Sequence, residues 1–277
     1  MDTAIDKPAD PAQRTAHVNI REIGAKDLDA IHELLCEGFP RRTPEYWRSA
    51  IQCLSERALV PECPRYGYLL EADRQPQGVL LVLNAIVDSS IRSNLSSWYV
   101  RQPFRFLATR MVQVATRPNG GVYLDLSPAA KVLPIVKALG FKPYSDGTLF
   151  FTPRLLLSSA PGARVTDWCK EGNCDGFYLE DRLGRIKVLY RIKTLKKAIP
   201  AARFVYGDPK RLSAAGGAVA RALLKKGIPV AMADAPVGFV PPRGIIHMPQ
   251  REIRYSKHGI PPKVGDLRES EIALFGP

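Results

Sequence analysis

The chain opens with alternating positions from Val18 to Glu22, which predict a short strand. Apolar residues Leu28, Ile31, Leu34 and Leu35 then recur at the three- and four-residue spacing of an amphipathic helix that ends near Gly38. Thr43, Pro44 and Glu45 open a second helix through Trp47, Ile51 and Leu54, because proline is favoured in a first turn. Two apolar runs, Tyr66 to Glu71 and Gly78 to Ile86, flank a polar turn over 72–77 and predict an antiparallel pair. Asn94 to Val100 predicts a third strand of this block, and the spacing of Leu107, Met111, Val112 and Ala115 predicts a helix over Arg105 to Ala115. After Pro118, Asn119, Gly120 and Gly121 the run Val122 to Leu126 is again a strand. Pro128 then starts a helix through Val132, Ile135, Val136 and Leu139 that stops at Gly140. Phe141 to Phe151 reads as one extended run. The expectation is an α/β fold with an antiparallel start and a central strand, helix, strand crossover.

The second half repeats part of this order. GYLLEADRQPQGVLLVL from Gly67 resembles GFYLEDRLGRIKVLYRI from Gly176, an offset of 176 − 67 = 109. Trp98, Tyr99 and Val100 have counterparts in Phe204, Val205 and Tyr206, and the helix from Pro209 to Lys225 matches the one after Val100. Ile228 to Ala235 echoes Val122 to Ser127, with Asp234 and Asp125 again 109 apart. Three matches in one order at nearly one offset predict an internal duplication. The expected organisation is a flexible tail over 1–17, a first domain over 18–152, and a second, truncated domain over 153–277 that lacks an opening strand and helix of its own.

Composition narrows the function classes. With 277 residues, 45% hydrophobic and 24% charged, the chain is neither disordered nor fibrous. Its longest apolar stretches, such as Gly78 to Val87, fall short of the roughly twenty residues needed to cross a bilayer, so no transmembrane segment is expected. The polar start, with Asp2, Asp6 and Asp10, lacks the apolar centre of a secretory leader, and a cytoplasmic location is expected. Five scattered cysteines do not make a disulfide framework, and Cys169 and Cys174 have no partners at zinc spacing, so no metal site is expected. Net charge is +13, and it is uneven: residues 1–152 hold 18 basic and 16 acidic groups (+2), residues 153–277 hold 22 and 11 (+11). That asymmetry suits an anionic partner or a solvated basic face. Lys193, Lys196 and Lys197 cluster without any nucleic-acid motif, so nucleic acid is a possible partner that no motif supports.

Three passages in 1–152 resemble the GCN5-related N-acetyltransferase (GNAT) family: VNIREIGAKDLDAIHELL, SSWYVRQPFRFLATRMVQVA, and DLSPAAKVLPIVKALGF with its Leu139, Gly140, Phe141 ending. The resemblance implies a mixed central sheet flanked by helices, two such halves in tandem, and acyl transfer from acetyl-CoA or a longer acyl-CoA to the amine of a small-molecule acceptor, an anionic one included. It also implies that the turn after the central strand holds the pyrophosphate on backbone N–H groups at a helix N-terminus, here Tyr99, Val100, Arg105, Phe106, Leu107, Ala108, Thr109 and Arg110. Arg105 stands where the family has Arg or Gln, but Phe106, Ala108 and Arg110 stand at its glycine positions; Arg110 can pair with phosphate only through its guanidinium. The family's Tyr that protonates the leaving thiolate falls on Val136 and its Asn on Ala129, neither of which donates a hydrogen bond from its side chain. An acid from elsewhere is then required: Ser127, Tyr144 or water. Tyr123, Asp125 and Ser127 share one strand face, and Asp125 is the candidate base or, equally, a turn partner before Pro128. Glu71 and Asp88 are weaker candidates, and Trp98, Tyr99 and His32 suit the core. Because the acid, Asn and glycines are lost, a non-catalytic acyl-CoA or anionic-ligand binding protein is the alternative.

Overall fold

The computed structural model describes residues 17–117, 120–157, 162–196 and 198–276. The tail expected over 1–17 lies outside the described residues except for His17, as do Pro118, Asn119 and Lys197.

The first half runs β1 (Val18–Glu22), α1 (Leu28–Gly38), α2 (Pro44–Glu56), β2 (Gly67–Ala72), β3 (Gln75–Val87), β4 (Ser90–Val100), α3 (Ala108–Ala115), β5 (Val122–Asp125), α4 (Leu133–Ala138), β6 (Lys142–Pro143) and β7 (Thr148–Phe151). The second runs β8 (Arg164–Glu171), β9 (Cys174–Asp181), β10 (Gly184–Leu195), β11 (Ile199–Tyr206), α5 (Pro209–Ala214), α6 (Gly216–Leu224), β12 (Val230–Asp234), β13 (Ile245–Met248), β14 (Tyr255–Lys257) and α7 (Glu271–Leu274). Thr43 starts α2 as read from the sequence: its Oγ1 accepts from the Tyr46 N–H at 3.3 Å, with Pro44 in the first turn. The turn between β2 and β3 is tighter than 72–77, because Asp73 (φ 49°) and Arg74 (φ 63°) both adopt the left-handed geometry of a two-residue hairpin.

Two mixed seven-stranded sheets result, in the orders β1-β2-β3-β4-β5-β14-β6 and β13-β7-β12-β11-β10-β9-β8. Each has four antiparallel strands, one parallel crossover (β4 to β5, β11 to β12), and two closing strands. The strand that follows the parallel pair comes from the other half. Tyr255 and Ser256 of β14 sit between β5 and β6, while β7 sits between β12 and β13. The extended run Phe141 to Phe151 is therefore two strands in two sheets, broken at Tyr144 to Gly147. The second half also has the opening strand that its sequence did not announce, β8, joined to β9 by a tight turn with no intervening helix.

Alternation along the strands assigns the faces. Leu69, Val79, Leu81 and Leu83 pack under α1 and α2 with Leu34, Leu35, Trp47 and Leu54. Leu70, Leu80, Val82, Leu95 and Tyr123 face the opposite way, toward Met111 and Val112 of α3 and Val136 of α4. Each fully buried side chain of this size contributes about 1.5–3 kcal/mol, so register slips are strongly disfavoured. Val122, Leu124 and Leu126 pack with Leu189, Val205 and Leu267 of the second half, and Arg92 meets Asp266 across the same interface at 3.2 Å.

Candidate active site

The parallel strands β4 and β5 pair only from Arg92 opposite Val122 to Leu95 opposite Asp125. Beyond that point β4 carries a bulge. Its register with β3 passes from Leu81 opposite Ser96 to Leu80 opposite Trp98, and Ser97 between them has a φ of 29°. A bulge bends its strand and leaves the extra residue without a ladder partner. The strands separate there, and a cavity of about 850 Å³ opens at the split. Its walls come from both faces of the sheet: Val112, Val136 and Phe141 on the α3/α4 side, Phe39, Trp47 and Ile272 on the other, with Ser96, Ser97 and Trp98 at the waist.

Two carboxyl groups meet in this cavity. Asp125 ends β5, and burial together with the neighbouring charge of Glu271 pushes its pKa up to about 7, while the Ser127 N–H and Arg254 pull the other way. Glu271 arrives from α7 at the far end of the chain; its pKa is also raised, chiefly by burial, against hydrogen bonds from Ser127 and Ser96 and the charges of Arg254 and Arg42. Ser127 Oγ donates to Glu271 Oε1. The sequence reading had placed Asp125 and Ser127 together and missed Glu271, because 144 residues separate Ser127 from it and only the fold closes that distance.

The remaining predicted residues scatter. Tyr144 does not line the cavity: its hydroxyl is buried without a partner between the halves, and burial raises its pKa far above the ordinary phenol value, so it is a poor proton donor. Tyr123 Oη donates to the Arg117 carbonyl at 2.6 Å. Tyr99 points to the α1 side, where its hydroxyl donates to Glu37 at 2.6 Å. Trp98 is half-buried at the cavity waist. Glu71 is paired with Arg21 at 2.6 Å and Asp88 with Arg268 at 3.3 Å, both away from the cavity, and His32 meets the Pro44 carbonyl at 3.0 Å.

The turn after β4 is compact. Residues Gln102–Leu107 form a 3-10 segment that leads into α3 at Ala108, and the Phe104 N–H is already bonded to the Arg101 carbonyl at 3.0 Å. Arg105 folds back so that its Nε donates to the Val100 carbonyl at 3.4 Å. Phe106 is 76% exposed, Arg105 and Arg110 are exposed, and Leu107, Ala108 and Thr109 are half-buried. The corresponding turn of the second half is occupied by the chain itself: Asp208 Oδ1 accepts from the N–H groups of Lys210 at 2.8 Å and Arg211 at 3.3 Å, which caps α5. Asp234, the counterpart of Asp125, is buried between Arg203 and Arg254.

Among the described residues, no group of His, Cys, Asp and Glu is arranged to hold a metal ion, and no helix is long and apolar enough to cross a membrane. The sequence matches no described protein family and no curated protein. Solved structures are similar to it in shape. A GCN5-related N-acetyltransferase from Anabaena variabilis superposes with a TM-score of 0.58 at 7% identity, over 86% of this chain and 72% of that one. A probable N-acyltransferase from Enterococcus faecalis gives 0.58 at 8% identity over 93% and 75%, and a GCN5-related N-acetyltransferase from Kribbella flavida gives 0.51 at 10% over 87% and 71%. The expected architecture is thus present: this chain has the fold of the GCN5-related N-acetyltransferases, built as two tandem halves that exchange a closing strand.

Proposed function

We propose that the chain is an acyl-CoA-dependent N-acyltransferase whose reaction takes place in the first half, at the split between β4 and β5. The observation that carries this reading is a cavity passing from one face of the sheet to the other at a bulged parallel pair, with Asp125 held near neutrality in its wall. Such a passage lets a thioester enter from the α3/α4 side and an amine from the side of α2 and α7, so that the two reactants meet in a fixed geometry. In the second half, Asp208 caps the turn and Asp234 is paired with two arginines, so the equivalent groups there are not free for the same chemistry.

The chemistry needs a base for an ammonium, a donor for the developing oxyanion, and a proton for the departing thiolate. The Asp125 and Glu271 pair takes a proton from the ammonium; a base with a pKa near the working pH balances availability against driving force. The freed nitrogen attacks the thioester carbon, forming C–N, and the oxygen that gains charge takes a backbone donor from the Ser97 bulge, where the strand ladder is interrupted. As C–S breaks, Ser127, bonded to Glu271, relays one proton to the sulfur, and the second proton lost by the nitrogen goes to solvent. Arg105 and Arg110 are the exposed cations available to the pyrophosphate, in place of the N–H cradle that Phe106 and the 3-10 segment do not offer.

The test is titration of the protein with CoA, acetyl-CoA and octanoyl-CoA by thermal shift, followed by a thiol-release assay with an amine panel. Saturable stabilisation with release of CoA supports the reading. Binding without release would convert it to the non-catalytic alternative, and no binding would end it.

A further inference from the structure

An arginine in the middle of a buried strand needs an account, because a guanidinium removed from water is costly unless all its donors find acceptors. Arg203 of β11 and Arg254, just before β14, are both 1% exposed at the side chain, and both line the cavity. Their shared partner is Asp234: Arg203 Nη2 donates to its Oδ1, and Arg254 Nε donates to the two carboxylate oxygens at 3.1 and 3.2 Å. Arg254 Nη1 donates to the Leu126 carbonyl. Glu252 lies 3.9 Å from Arg203 Nε and 3.5 Å from Arg254 Nη2, and its other oxygen receives Lys193 at 3.0 Å. Arg203, Arg254 and Lys193 hold Glu252 ionised, with a pKa lowered to about 2.

Two features of this cluster remain unbalanced. Apart from Asp125 and Glu271, whose carboxyls also feel Arg254, it holds three cations, Lys193, Arg203 and Arg254, against two anions, Asp234 and Glu252. Arg203 Nη1 is buried and has no hydrogen-bond partner, and Arg254 Nη2, although 3.1 Å from Asp234 Oδ1, makes no aligned hydrogen bond to it. A single carboxylate supplies what is missing: one negative charge, and two oxygens for two N–H groups, in the charge-assisted geometry that guanidinium groups favour. The other end of the same cavity is acidic. Arg254 joins the two ends, because the carbonyl it holds belongs to Leu126, the residue after Asp125.

We infer that the acceptor is an amino acid, its ammonium presented to Asp125 and Glu271 and its carboxylate held by Arg203 and Arg254. This rests on the acyl-transfer reading of the cavity. The second half then has a task in the reaction, because β11 of its sheet brings Arg203 to the first half's cavity and so fixes which amine is taken.

The experiment has two arms on the full chain. In the first, the twenty L-α-amino acids, their α-amides and the corresponding decarboxylated amines are screened for thermal stabilisation with no acyl-CoA present. In the second, the same panel is assayed for CoA release from acetyl-CoA and octanoyl-CoA. At least one amino acid should stabilise and react, with its amide and its decarboxylated amine about 10- to 100-fold lower in kcat/KM, the worth of a lost charge-assisted pair. Arg203→Lys, which keeps the charge beside Asp234 but removes the second N–H, should narrow the acid-to-amide ratio of kcat/KM about tenfold. Turnover of amides and simple amines as readily as amino acids would overturn the inference and leave acyl transfer standing. Stabilisation by an amino acid without CoA release from any panel member would keep the carboxylate site and remove the acyl-transfer reading. No stabilisation and no turnover across the panel would overturn both.

Discussion

Replacing Asp125 with Asn removes a titrating group while keeping an oxygen for the Ser127 N–H. In the folded wild type this carboxyl titrates at about 7 instead of 3.8, because burial and Glu271 oppose its charge. Between those values the folded chain holds a proton that the unfolded chain releases. Folding stability from this group is therefore greatest below about pH 4 and falls as pH rises to about 7, after which it is constant. A displacement of about three units is worth at most about 4 kcal/mol, of which about 2–3 kcal/mol is lost between pH 5 and pH 8. Asp125→Asn should match the wild type below about pH 4, where Asp125 is neutral both folded and unfolded, and its advantage should grow by about 2 kcal/mol or more between pH 5 and pH 8. For a chain of this size that is roughly 4–8 °C in Tm. Scanning calorimetry of both proteins at the two pH values, at one ionic strength, measures the difference of differences, in which other carboxylates and histidines cancel. If the variant follows the wild type's pH dependence in parallel, Asp125 is not held against Glu271, and the paired-acid site is wrong. The same substitution should abolish acyl transfer, so stability and activity move in opposite directions.

Glu271→Gln should lower kcat by about 10²- to 10⁴-fold with acyl-CoA binding retained, the range for loss of a general base, as read by thiol release and CoA titration. Asp234→Asn leaves Arg203 and Arg254 buried without their shared carboxylate and should cost about 3–5 kcal/mol, visible as a lower urea midpoint with an unchanged slope. Arg105→Ala should weaken CoA binding about tenfold and leave binding of dephosphorylated pantetheine unchanged, which calorimetric titration with both ligands separates. Gly67→Ala should destabilise the first half, since Gly67 has a φ of 119° and an added Cβ would lie 2.2 Å from the Leu80 carbonyl oxygen; thermal unfolding reads the loss.

Most elements of the first half were legible because each rests on local patterning. The alternation of Val18–Glu22, the helical spacing of Leu28 to Leu35 and the Thr43 and Pro44 start of α2 all appear where the periodicity places them. The duplication was legible for the same reason, since Asp125 and Asp234 end equivalent parallel strands. What patterning did not reveal was which sheet a short extended segment joins. Thr148–Phe151 belongs to a run read as extended and Tyr255–Lys257 carried no reading at all, and each completes the other half's sheet. Strand pairing is set by which edge offers complementary register and burial, a property of two distant segments at once.

The site divides along the same line. Sequence by itself placed Asp125 and Ser127 on one face, because successive side chains in a strand alternate. Only the tertiary structure brought Glu271 to Ser127, raised Asp125 toward neutrality by burying it beside a second carboxyl, and moved Tyr144 out of contention by enclosing it between the halves. Only the exchange of β14 set Arg254 beside Leu126 and against Arg203 from the other sheet. Charge, burial and proximity are sums over everything a residue touches, and the deciding partners of these residues lie from tens of positions to more than a hundred away in the chain.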